Sequence, residues 1–290
     1  MTTSDLVTLT CALTGVLTNP QQHPVPVTPE QMAAEARRAF EQGATIMHCH
    51  FRDQRPGLGH LPTWDPDVVA EIADAIRLAC PGVVLNFSTG VMGPDISGPE
   101  ACLRRCKPEM AALNAGSLNY LKVRSSQPRW AWPPLLFANP VDKIQAFIEV
   151  MREEGIVPEC ECFDTGIVRS IAMLQHVGLL GAEPHVSLVM GVASGMPAKA
   201  SWLPLLIEEL PQGAHFQTIV IGRDEVWAVH RASAELGGHL RTGLEDTFYL
   251  PDGGRAASNG QLIAELRKVA EAAGRQVTTP AQTRLLLGLA

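Results

Sequence analysis

Eight short apolar runs with strand character alternate with amphipathic helical runs along this chain, and that order limits its fold more than any other feature. The strand-like runs cover residues 6–12, 45–51, 83–88, 110–114, 159–163, 185–190, 217–221 and 239–244. Helical periodicity fills residues 29–42, 66–79, 140–154, 202–210, 226–236 and 261–273. Three of these helices follow a polar residue and open on proline: Thr28-Pro29, Asp65-Pro66 and Asn139-Pro140. Proline is tolerated there because its missing N–H would have no partner inside the helix anyway. Strand followed by helix, repeated over about 250 residues, predicts an α/β chain folded as a (β/α)8 TIM barrel. An open doubly wound sheet is the alternative. It wants a glycine-rich nucleotide turn after the first strand, and LTGVLTNPQ lacks one.

No break in composition divides the chain, so residues 1–290 are read as one domain. TPAQTRLLLGL, with its own Thr279-Pro280 start, reads as a short C-terminal helical extension. Residues 116–134 form the longest irregular stretch, and on the active face of a barrel such a stretch predicts a lid or substrate loop. A hydrophobic content of 46% supports a large core, and a net charge of -7 argues against nucleic acid as a partner. No apolar run reaches the ~18 residues a membrane span needs, and the N-terminus lacks a secretory pattern. Seven cysteines at irregular spacing read as buried, reduced thiols in a cytoplasmic protein.

The chemistry collects at strand ends. His48 and His50 sit two apart in ATIMHCHFRD, so a strand presents both on one face, where they can hold one metal ion. Glu245, Glu161, Glu159 and Asp246 are the candidate third ligands, and spacing does not choose among them. Two hydrogen-bonded barrel histidines are the alternative reading of the pair. Arg241 and Asp246 read as a catalytic pair or as an ion pair closing a loop, and Arg52-Asp53 as a brace at a strand end. Ser88 in NFSTG ends the third strand. Glu159 and Glu161 share an inward face and need a cation, a proton or water between them. His23, His60, His176, His215 and His230 are expected in loops or helices as surface or packing residues. The tryptophans at 130 and 132 are expected to form a hydrophobic lid or to pack the loop.

The segments ALTG, PVTPEQMAAEARRAFEQGATIMHCHFRD, NFSTG, KPEMAALNAGSLNY, PECECFDTG, SLVMGVASGMPA and GGHLRTGLEDTFYLPDG together resemble the β-keto acid cleavage enzymes, nearly end to end. The resemblance implies a zinc-dependent barrel, assembled as a homotetramer, that condenses a β-keto acid with acetyl-CoA to give acetoacetate and an acyl-CoA. It implies zinc on His48, His50 and Glu245, a proton-abstracting dyad of Arg241 and Asp246, and substrate contacts at Ser88 and Glu161. Family members acting on an amino-bearing substrate carry an acid shortly after the first-strand TG. Here Leu17 stands at that place, and an apolar side chain gives an ammonium no partner, so a neutral or apolar β-keto acid is expected. Arg124, Arg129 and Arg223 are candidates for the CoA phosphates. A zinc hydrolase of the amidohydrolase kind and a non-catalytic zinc or acyl-CoA binding barrel are the competing readings.

Overall fold

The computed structural model describes residues 5–16, 18–124 and 126–289. Eight parallel strands close on themselves: β1 (Leu9–Ala12), β2 (Ile46–Cys49), β3 (Val84–Phe87), β4 (Met110–Asn114), β5 (Val157–Cys162), β6 (His185–Met190), β7 (His215–Val220) and β8 (His239–Thr242). β8 pairs with β1 through Arg241 and Thr10, which completes the expected (β/α)8 barrel. The surrounding helices are α1 (Pro29–Glu41), α2 (Pro66–Ala79), α3 (Ser97–Cys106), α4 (Val141–Glu154), α5 (Thr165–His176), α6 (Leu203–Glu208), α7 (Val226–Glu235) and α8 (Asn259–Ala272). The short α9 (Pro280–Leu286) forms the C-terminal extension.

Local signals explain the element starts. Thr28 and Gln31 form a capping box on α1, and Thr279 and Gln282 repeat it on α9, so orphan N–H groups are satisfied reciprocally. The start expected at Pro140 shifts by one residue. Pro140 is itself the N-cap of α4, and Asn139 donates its amide to Gly116 O instead of capping. The helix expected over 202–210 is a 3-10 turn (Ala200–Trp202) followed by the short α6. The first strand-like run is interrupted at Thr8, whose N–H donates to His239 Nδ1. Leu6–Val7 leaves the barrel and pairs with Gln276–Val277. The stretch expected as an irregular loop contains a two-stranded ribbon, Leu118–Tyr120 against Leu135–Phe137. His215 opens β7, contrary to its expected place outside the strands, because strand pairing with β6 extends two residues below the apolar run.

Alternation along the strands separates two environments. Met47, Leu85, Leu113, Cys160, Leu188 and Leu240 point outward and pack with Ile72, Ile148 and Leu262 of the helices into the main core. All seven cysteines are buried free thiols. Inside the barrel, Ile46, Val84 and Met110 form an apolar floor capped by Leu287 at the end of α9. Above that floor the barrel strands present His48, Asn86, Glu159, Ser187, Gln217 and Arg241, so the polar layers lie toward the C-terminal mouth, where barrel sites are built. No helix is long and apolar enough to cross a membrane, among the described residues.

Candidate active site

β2 aims His48 into the barrel, and His50, one residue past the strand end, lies on the same side. The two rings meet edge to face with centroids 5.3 Å apart. Across the mouth, Glu245 in the loop after β8 faces both. Its Oε1 lies 3.3 Å from His50 Nε2, and its Oε2 lies 3.7 Å from His48 Nε2. One ligand atom from each of the three residues lies within 4.8 Å of the other two, a spacing that suits a single cation. Glu245 Oε2 and His48 Nδ1 are buried with no hydrogen-bond partner. A buried acceptor without a donor is costly, and an oxygen so placed beside two imidazoles suits a cation. Burial, then the Arg241 charge, hold His48 well below the usual imidazole range and so neutral. Burial works the other way on Glu245, yet His50 and Arg241 draw its carboxyl well below the usual range. A neutral imidazole and an ionised carboxylate are the forms that bind metal.

His48, Glu159 and Glu161 make a second group of the same compactness. There, however, the protein already supplies donors. Glu159 accepts from Asn86 Nδ2, from Gln217 Nε2, and from Ser187 Oγ at 2.6 Å. Glu161 accepts from Arg241 Nη1 at 3.2 Å. The other ring nitrogen of His48 lies 3.8 Å from Glu159 Oε2, so Glu159 stands behind the imidazole, on the side away from Glu245. At 3.8 Å the two are not hydrogen-bonded, but the carboxylate stands where the partner of a metal-binding histidine stands.

Arg241 is 2% exposed and gathers three carboxylates. Its Nε and Nη2 reach the two oxygens of Asp246 at 3.2 Å each, and Nη2 also reaches Glu245 Oε1 at 2.9 Å. Glu159, Glu161, Glu245 and Asp246 thus crowd one guanidinium, leaving an excess of buried negative charge. Burial pushes Asp246 up to about 7 against the downward pull of Arg241. Burial, and next the Glu159 charge, push Glu161 up to about 8. The Arg241–Asp246 contact expected from RTGLED therefore forms, and burial outweighs it in setting the proton affinity.

Two supports were missed in the sequence, and a third was expected with a different partner. A side chain at Gly15 would put its Cβ 2.6 Å from Glu245 Cγ, so only glycine lets the carboxylate sit over β1. Asn259, at the start of α8, accepts from Leu244 N at 2.9 Å and donates to Leu13 O at 3.1 Å, which fixes the loop carrying Glu245 against the end of β1. Buried Arg52 donates to Thr14 Oγ1 and to the carbonyls of Gly15, Thr18 and Gly59. It braces the strand end as expected, but not with Asp53, which pairs with Arg55. The first-strand TG was in view, but nothing local says what its glycine touches.

The other expected residues are spread around the mouth. Ser88 is buried, and its Oγ accepts from Gly90 N at 3.5 Å. Asn114 Nδ2, Ser88 Oγ and the Phe137 ring all lie within 4 Å of a Cβ built on Gly90, which places Ser88 beside the root of the 118–137 hairpin. Leu17, singled out for substrate selection, lies outside the described residues. Arg223 lies 3.6 Å from Asp224 and 4.4 Å over the Tyr249 ring.

A closed parallel barrel whose ionisable groups converge at the C-terminal mouth defines the class: a (β/α)8-barrel enzyme. Within it, the chain belongs to the beta-keto acid cleavage enzyme family, which it matches over residues 7–289. It is 33% identical over 286 residues to the 3-oxoadipate:acetyl-CoA acetyltransferase of Cupriavidus necator, covering 97% of this chain and 94% of the relative. It is 31% identical over 284 residues to the 3-keto-5-aminohexanoate cleavage enzyme of Acetoanaerobium sticklandii, covering 97% of each. Among solved structures, the apo form of ObcA shares the fold, with a TM-score of 0.73 at 21% identity, over 91% of this chain and 65% of that longer one.

Proposed function

We propose that this enzyme condenses a β-keto acid with acetyl-CoA and releases acetoacetate and the CoA thioester of the remaining acyl chain. The observation that carries the reading is the orphaned Glu245 oxygen facing His48 and His50, beside the Arg241–Asp246 pair. Zinc held by His48, His50 and Glu245 would supply Lewis acidity at the keto and carboxylate oxygens. Asp246, aimed by the two-point grip of Arg241, takes the proton from the carbon between keto group and carboxylate. A carboxyl poised near 7 can both accept and return a proton near neutrality. The resulting carbanion attacks the acetyl thioester carbonyl, and the C–S bond breaks to release CoA thiolate. The thiolate attacks the former keto carbon, and the adjacent C–C bond breaks. Asp246 returns its proton to the leaving carbon, which departs as acetoacetate. Ser88 and Glu161 are the proposed substrate contacts, with Glu161 protonated near neutral pH and therefore a donor.

Leu17 favours a neutral or apolar acyl chain. The family resemblance supports a cytoplasmic homotetramer. A hydrolase of the amidohydrolase kind would need more histidines at the mouth, but the other strand histidines, His185, His215 and His239, open their strands at the opposite end. The test is acetoacetate release from neutral, amino-bearing and carboxylate-bearing β-keto acids, with metal analysis of the same sample. Release that requires acetyl-CoA, with zinc in near-stoichiometric amount, supports the reading. Hydrolysis without CoA overturns it, and preference for the amino compound overturns the neutral chain.

A further inference from the structure

We propose that the hairpin of residues 118–137 seats the nucleotide end of acetyl-CoA, with Lys122, Arg124 and Arg129 on the phosphates and Trp130 against the adenine. The inference rests on acetyl-CoA being the co-substrate. Charge is the first observation. The chain carries a net charge of -7, yet this stretch holds three basic residues and no Asp or Glu. The guanidinium of Arg241 in the mouth is already taken up by Asp246, Glu161 and Glu245, so it is not free for phosphates. The phosphates of a CoA thioester are therefore matched by the positive charge on the rim, outside the mouth.

Pairing is the second observation. Lys122, Arg124 and Arg129 are exposed, and among the described residues none lies within ion-pair distance of a carboxylate. Other cations near the mouth are engaged: Arg223 with Asp224 and Tyr249, and Arg255 with His23 and Phe248. That contrast keeps the two hairpin arginines as phosphate ligands, adds Lys122 and sets Arg223 aside.

The hairpin is also built to hold a shape. Beyond the ribbon, Val123 bridges Trp130, Ala131 N donates to Lys122 O at 2.7 Å, and Arg124 N donates to Arg129 O at 3.0 Å. Trp132 stacks on Tyr120 and lies under Lys122, whereas Trp130 is half-exposed. A free aromatic face among cations is the combination that holds a base and its phosphates. At its root, Phe137 reaches Gly90 next to Ser88, and Ser194 Oγ accepts from Leu121 N at 2.9 Å. The root thus borders the reaction site while the cations stand toward the tip, an arrangement matched by a ligand whose thioester and nucleotide are separated by a pantetheine arm.

The test compares acetyl-CoA with acetyl-N-acetylcysteamine, the same acetyl thioester without a nucleotide. In the holoenzyme, the ratio of kcat/KM for acetyl-CoA to that for the truncated thioester falls roughly tenfold or more in K122A/R124A/R129A, through the acetyl-CoA KM. W130A lowers the ratio less, and salt lowers it in the wild type. An unchanged ratio overturns the proposal. So does a triple variant whose only change is the mass of the assembly by light scattering, since the hairpin would then meet a second copy of the chain. Tryptophan fluorescence titration with CoA alone keeps the two claims apart. CoA bound through the hairpin by an enzyme that releases no acetoacetate defeats the reaction but upholds the hairpin. Acetoacetate release with full CoA affinity in the triple variant does the reverse.

Discussion

Histidines stand at both ends of this barrel, and only at one end do they share a carboxylate that closes on them. At the mouth, His48 and His50 come from one chain segment at spacing two, and Glu245 faces both rings. At the floor, His185, His215 and His239 open three neighbouring strands and stack in a row, with centroids 5.1 and 6.3 Å apart and planes 16° and 30° apart. Stacked rings send their nitrogens sideways past one another, so no common point lies within reach of all three. The exposed Glu183 lies 3.9 Å from His215. A metal site therefore depends on the direction in which side chains leave the strands, not on how many imidazoles gather.

That difference breaks first, and most widely, at the mouth. His48→Ala should take metal content and turnover to background, read by elemental analysis of the purified protein. Zinc at the wild-type level would erase the distinction between the two ends. Asp246→Asn should keep metal and fold and lower kcat by ~100–10,000-fold, the usual loss of a general base. Near-normal kcat would move the base elsewhere. Glu159→Gln should weaken metal affinity by ~10–100-fold in chelator competition, because the amide removes the negative charge that stands behind His48. Unchanged affinity would make Glu159 a mere filler of the barrel.

Much of this was readable along the chain, and the reason is locality. Thr28, Pro29 and Gln31 lie within one turn, so the start of α1 can be read without knowing the fold. HCH and RTGLED likewise carry their geometry in their spacing, and the barrel needed only to bring β2 and β8 to one mouth. What stayed hidden is set by contacts between distant strands. Glu159 and Glu161 look alike in PECEC, but donors from β3, β6 and β7 meet only Glu159. Arg52 and Asp53 are neighbours in sequence, and an extended chain sends neighbours to opposite sides, so they do not pair. The start of β7 was missed because polar His215 stands before the expected run of 217–221, although it belongs to the same strand.

The smallest expected effect separates the ends through acid. Burial holds His239 down at about 3, and burial with the His215 charge holds His185 at about 4; an unfolded chain titrates them near 6.5. Folded imidazoles so depressed bind fewer protons than unfolded ones, so stability rises with pH across this interval. Their contribution is whole above about 6.5 and drains away as pH falls toward 4. Fully buried His230, held at about 3 by burial alone, follows the same sign and by pH 5 should cost about 2 kcal/mol. His185→Phe keeps a ring in the stack and removes one titrating group. It should leave metal content and kcat at wild-type values while flattening the fall of the thermal midpoint between pH 7 and 5. A variant that loses metal would tie the floor to the mouth after all, and an unaltered acid profile would mean that the stacked row is not where the protein takes up its protons.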